Sequence, residues 1–313
     1  MYPSQTLDAE SLAEAPLPAA LVPASVRGGR ASWSAWVAPV VSLGVLVAAV
    51  NQVRTLDLHR MIALMPAAPG FWLALVASYF MLPVSEWLIY RRAWGLPLSG
   101  FWPLLRKRLS NEILLGYSGE LYFYAWARRH LRFAGAPFGV IKDVTMLSAQ
   151  AGNLATLAMV AIAWPWFGAL HLGMHARGMI SSCALVLALS VPMILFRRRL
   201  FTLPAPELWR IAAIHMVRIA AVLLLTGFAW HEALPAVALG WWVLLAALRQ
   251  LLSRLPLMPN KDIAFAGLTV YLLGPATGLA DVVALSATVI LGMHLFLGVA
   301  LATAELLAPA EAA

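Results

Sequence analysis

RKRLSNEILLGYSGELYFYAWARRHLR, residues 106–132, decides how this chain is read. The other long apolar runs are nearly free of acid, whereas this one holds Glu112 and Glu120 among aromatic and aliphatic residues. Basic groups bracket it, Arg106–Lys107–Arg108 before and Arg128–Arg129–His130 after. The stretch between the brackets is too polar for an ordinary membrane span and too apolar for an ordinary loop. On a continuous helix Glu112, Gly116, Gly119 and Glu120 share one stripe, at i, i+4, i+7 and i+8. Gly116-Tyr117-Ser118-Gly119 favours instead a break into two half-helices. Broken helices at membrane depth persist only inside protein or beside an aqueous cavity, where their free amides form ligand sites. The competing reading is an interfacial hairpin with its acids in headgroup water.

Composition places the stretch in a membrane protein. The chain has 313 residues, 62% hydrophobic and 12% charged, and a soluble domain carries about twice that charged share. Several runs approach the roughly 20 residues that cross a bilayer core. The formal charge of +8 is better explained by cytoplasmic loops than by nucleic acid. The single Cys183 excludes an internal disulfide.

The expected fold is all-α, a polytopic helical bundle of about eight full spans plus a re-entrant helical hairpin near residues 109–127. Residues 1–31, rich in Pro, Ala and acid, lack the basic start of a cleaved signal peptide and are expected to be a disordered cytoplasmic tail. A single transmembrane domain, 32–307, follows, then a short tail, 308–313. The spans are expected at Ser32–Val50, Gly70–Tyr90, within 137–170, Gly178–Leu195, Trp209–Trp230, Pro235–Leu252, Ile263–Ala280 and Val282–Leu306. With both termini inside and the central segment returning to its own side, only Arg54, Arg60 and Arg177 face outward. That is a strong positive-inside bias. A full crossing by 109–127 would turn the later basic clusters outward, so the charge distribution favours re-entrance in a bacterial inner membrane.

Other polar residues in apolar surroundings extend the candidate site. Asp143, Gln150 and Asn153 recur at i, i+7 and i+10, on one helical face. They line the same cavity as Glu120 or hydrogen-bond between helices. Arg218 lies one turn from His215 in the fifth span, within snorkelling reach of the interface. It pairs with a lipid phosphate or an acid such as Glu120, or it snorkels. Glu86, close to Arg91 and Arg92, is expected at the interface. His294 is expected to be a packed, hydrogen-bonded residue.

Catalytic constellations are missing. There is no P-loop, HExxH, GxSxG or paired-Asp motif, and nothing for ATP or another cofactor. His171 and His175 have a metal-compatible spacing but sit in a short link without a nearby acid, so no metal site is expected.

The order Asn111-Glu-Ile-Leu-Leu-Gly-Tyr-Ser-Gly119-Glu120, aromatic residues, then Arg128–Arg129 resembles a signature of the lysylphosphatidylglycerol synthase and flippase membrane-domain family. Arg254-Leu-Pro256-Leu-Met-Pro259-Asn260-Lys-Asp262 stands where that family has an apolar-Pro-apolar segment before two closing spans. The chain departs at Leu115, where the family has proline, at Phe123, often arginine there, and at Asn260-Lys261-Asp262, which replaces a Gly-rich turn. The resemblance implies a divergent stand-alone member without the soluble synthase domain. It carries over Gly119 and Glu120 but no arginine at 123.

The leading expectation is a protein that binds or translocates a lipid or lipid-linked substrate. Glu112, Gly119, Glu120, Asp143, Gln150 and Asn153 would line its site, and Arg128, Arg129 and Arg218 would attract phosphate. The alternatives are a membrane transferase acting on a lipid carrier, with Glu112 or Glu120 as general base, and a non-catalytic scaffold of an envelope-polymer assembly system. Expected partners are membrane lipids, a second copy of the chain, or an envelope-biosynthesis protein.

Overall fold

A computed structural model describes residues 65–113, 117–131, 137–167, 197–254 and 279–307, with isolated helical positions at 40, 43, 184, 187, 188, 190, 191 and 195. The tails, most of the expected first, fourth and seventh spans, the His171–His175 link and the Pro256–Asp262 segment lie outside the described residues. Within them the chain is helical and without strand. The helices are α1 (Pro69–Trp94), α2 (Phe101–Ile113), α3 (Ser118–His130), α4 (Phe138–Phe167), the short α5 (Arg197–Leu200), α6 (Ala205–Ala233), α7 (Leu239–Arg254) and α8 (Leu279–Leu307). Three are long and apolar enough to cross a membrane: α1, α6 and Asp281–Ala304 of α8.

Local chemistry sets the helix ends. Proline at the first position of α1 has no amide hydrogen to leave unpaired. At the other end Gly95 turns into the left-handed region, φ 66°, and its amide donates to Arg91 O at 2.8 Å. Pro97 then prevents continuation, and its carbonyl accepts from Trp87 Nε1 at 3.1 Å. Helix α6 follows Pro204 and carries Glu207 in its first turn, where an acid suits the helix dipole.

Helices α1 and α6 pack antiparallel along their length. Arg92 meets Glu207 at one end, 3.4 Å. At the other, Gly70 lies so close to Glu232 that a Cβ would fall 2.2 Å from its Oε2. Helix α7 returns beside α6, with Gly227 against the Val243 backbone. Helix α8 joins through the bond from Trp230 Nε1 to Ser286 Oγ, 3.0 Å.

The two ends of the bundle differ in charge. The core of Ile89, Tyr90, Leu104, Phe123, Ile141, Val144 and Ile211 gathers the end of α1, the pair α2/α3 and the starts of α4 and α6. Exposed Arg91, Arg92, Arg128, Arg129, Arg199 and Arg210 surround that end. The opposite end carries Glu232 and Asp281 and, among the described residues, no Lys or Arg.

Candidate functional site

Helices α2 and α3 lie side by side, running in opposite directions around the turn at Tyr117, whose φ is 72°. Ser118 Oγ donates to Ser110 O at 2.9 Å. Gly119 is required here: a Cβ would sit 1.9 Å from Lys107 O. The absence of a side chain lets the two backbones touch.

Asn111 holds the start of α3 from the neighbouring helix. Its Oδ1 accepts the Gly119 amide at 2.7 Å, and its Nδ2 donates to Glu120 Oε2 at 2.9 Å. Tyr117, the residue before α3, offers no side-chain cap. One amide therefore satisfies an orphan backbone donor and fixes the carboxylate in the first turn, where the helix dipole favours negative charge.

The other oxygen of Glu120 faces Lys107. Lys107 Nζ donates to Glu86 Oε1 at 2.5 Å and lies 3.5 Å from Glu120 Oε1. The Lys107 and Glu86 side chains are 3% and 6% exposed, and that of Glu120 is 19% exposed. The trio holds two carboxylates and one ammonium. Charges in such surroundings must be paired, and Glu120 is both the loosely paired member and the reachable one.

The flanking arginines also point inward. Arg106 Nη1 donates to Leu301 O at 2.8 Å, and its guanidinium lies 5.2 Å from the Tyr122 ring. Arg108 Nη1 donates to Tyr79 O, and its guanidinium lies 4.2 Å from the Tyr79 ring. The hydroxyls of Tyr79 and Tyr90 are buried and make no hydrogen bond among the described residues.

Arg106, Lys107 and Arg108 turn inward, because each finds a carbonyl or carboxylate partner on α1, α3 or α8. Glu86, expected at the interface, is 5% exposed and packed against the Lys107 ammonium. Sequence reasoning missed Lys107, Glu86 and Asn111 as site residues. The available signal was Ser78, Ser85 and Glu86 at i, i+7 and i+8, a polar stripe along one face of α1.

The remaining candidates lie apart from the trio. Glu112 is exposed, and its charge is felt at Arg108 one turn away. Arg128 and Arg129 are exposed in the last turn of α3, Arg128 5.8 Å from the Tyr124 ring. Asp143 is fully buried, and its Oδ2 accepts from Thr202 N (2.7 Å), Thr202 Oγ1 (2.7 Å) and Leu203 N (2.8 Å). Gln150 Nε2 donates to Ser190 O at 3.2 Å and Asn153 Nδ2 to Ser190 Oγ at 3.0 Å. Of the two readings of this stripe, these bonds follow the one between chain segments. Arg218 Nη2 donates to Ser148 Oγ at 3.2 Å, whereas the bonds of Glu120 go to Asn111 and Lys107. His294 is packed 5.0 Å from the Tyr79 ring, its Nε2 without a hydrogen-bond partner among the described residues. Among the described residues no group of three or more His, Cys, Asp or Glu side chains could hold a metal ion.

No family model matches the chain, and no curated protein and no solved structure is significantly similar to it.

Proposed function

We propose that this chain is a multi-pass inner-membrane protein that binds or translocates a lipid or lipid-linked substrate at the α2/α3 pair. The single observation that carries the proposal is Glu120, a reachable carboxylate half-paired with a buried ammonium. An ionisable cluster inside apolar helices is costly to maintain without a use.

In this reading α2 and α3 enter the membrane as a re-entrant hairpin. Both of their open ends lie beside the end of α1 that carries Arg91 and Arg92. Arg108, bonded to Tyr79 O, reaches fifteen residues back along α1 from Trp94, about 22 Å at 1.5 Å per residue. The arginine-rich end faces the cytoplasm, and eight crossings with both termini inside complete the topology. Glu120 takes a cationic or hydroxylated headgroup. Arg128 and Arg129, at the rim, attract its phosphate. The buried phenols of Tyr79 and Tyr90 offer further polar contacts. The resemblance to the lysylphosphatidylglycerol synthase and flippase membrane-domain family, which carries over Gly119 and Glu120, agrees with this reading.

The test compares wild type, Glu120→Gln and Glu112→Gln in vesicles of phosphatidylethanolamine and phosphatidylglycerol. Retained lipid is measured by native mass spectrometry, and translocation by dithionite quenching of fluorescent analogues. Loss of a charged hydrogen bond predicts at least about a tenfold fall in retention for Glu120→Gln, with Glu112→Gln unchanged. Equal retention and translocation in wild type and Glu120→Gln would sink the proposal.

A further inference from the structure

Helix α1 carries its bending chemistry in one short stretch, and α2 holds it on both sides. Pro83 lies inside α1 and is buried. Having no amide hydrogen, it leaves the carbonyl four residues earlier, Tyr79 O, without its helical donor. Arg108 Nη1 donates to that carbonyl, and the guanidinium also covers the ring of the same residue, 4.2 Å to its centroid. Ser78 Oγ donates back to Leu75 O at 2.7 Å and Ser85 Oγ to Leu82 O at 2.8 Å. Such back-bonding competes with the helical ladder and bends helices.

The residue before Arg108 grips the other side of the proline. Lys107 holds Glu86, three residues beyond Pro83, at 2.5 Å. Consecutive cations of α2 therefore straddle the weak point of α1. Lys107 binds the C-terminal half through a carboxylate, and Arg108 binds the N-terminal half through the orphaned carbonyl. Lys107 is also shared with Glu120.

We propose that Lys107 and Arg108 form a clamp across the Pro83 break, and that occupancy of Glu120 regulates the clamp through its claim on Lys107. A ligand that draws the Glu120 carboxylate away leaves Lys107 to Glu86 alone and stiffens α1. The clamp stands on the Tyr79, Glu86, Lys107 and Arg108 contacts; its regulation by a ligand rests on the proposed role of Glu120.

The experiment is hydrogen–deuterium exchange of the α1 amides between residues 79 and 90, on the full chain in detergent micelles. Arg108→Gln removes the charged donor to Tyr79 O and is expected to speed exchange about tenfold. Pro83→Ala returns a backbone donor to that carbonyl, so Pro83→Ala combined with Arg108→Gln is expected to exchange at the wild-type rate. This rescue separates the clamp from a general loss of folding. Glu120→Gln is expected to slow exchange beyond Pro83 about threefold, because Lys107 then serves Glu86 alone. Unchanged exchange in Arg108→Gln, failure of Pro83→Ala to rescue it, or unchanged exchange in Glu120→Gln overturns the proposal. None of these readouts uses lipid binding. A failed lipid test with the exchange pattern intact would therefore remove the proposed function and leave the clamp.

Discussion

Lys107 Nζ and Glu86 Oε1 are 2.5 Å apart, with both side chains almost wholly withdrawn from solvent. Each residue accounts for the burial of the other. Removing one partner of such a pair costs about 3–5 kcal/mol, because the survivor keeps its desolvation cost, whereas an apolar pair of similar volume is often neutral. Lys107→Met is therefore expected to lower the apparent Tm in detergent sharply. Glu86→Leu in the same chain is expected to recover at least half of that loss. A double variant no more stable than Lys107→Met would show that the pair is not what holds these two residues.

The contact of α2 with α3 depends on a missing atom. Gly119→Ala places a Cβ 1.9 Å from a backbone carbonyl oxygen, which has no flexible end to move aside. The helices must separate, and with them the Asn111 bridge to Glu120. A cost of about 3 kcal/mol is expected, the upper end for overpacking. Gly95→Ala is the useful contrast, since open space surrounds that Cβ and only the left-handed backbone resists it, about 1 kcal/mol. Thermal unfolding of both variants checks the order.

These two sites differ in how far the sequence exposes them. The apolar runs of α1, α6 and α8 are legible because few charges interrupt them over the length of a bilayer. The break at Gly116–Gly119 is legible as turn chemistry, and Tyr117 indeed has a positive φ. The Glu86–Lys107 pair is hidden, because its members lie 21 residues apart on different helices. Only the tertiary return of α2 along α1 brings them together. Lys107 also stands between two arginines, the pattern of a cytoplasmic cluster, and one turn of helix decides whether such a cluster meets water or carbonyls. The periodicity of Asp143, Gln150 and Asn153 is legible as a polar face, yet the pattern is the same whether that face meets a ligand or another chain segment.

On Asp143 three donors converge on one oxygen. Asp143→Ala leaves Thr202 N, Thr202 Oγ1 and Leu203 N without their acceptor and is expected to cost about 2–3 kcal/mol. Asp143→Asn keeps an oxygen there and is expected to cost less. Lipid retained per folded molecule should not change in either variant, because the bonds of Asp143 tie α4 to the segment before α6. A selective loss of lipid with normal thermal stability would instead assign Asp143 to the binding site.

Asn111 is neutral where its two partners are not interchangeable: it accepts from Gly119 N and donates to Glu120 Oε2. Asn111→Asp keeps the acceptor, loses the donor and sets a second carboxylate against the first. Asn111→Ala removes both bonds but adds no charge. Asn111→Asp is therefore expected to lower stability by more than Asn111→Ala, by about 1 kcal/mol or more. Thermal unfolding of the two variants checks the order. A smaller deficit for Asn111→Asp than for Asn111→Ala would mean that Glu120 does not face position 111 as described.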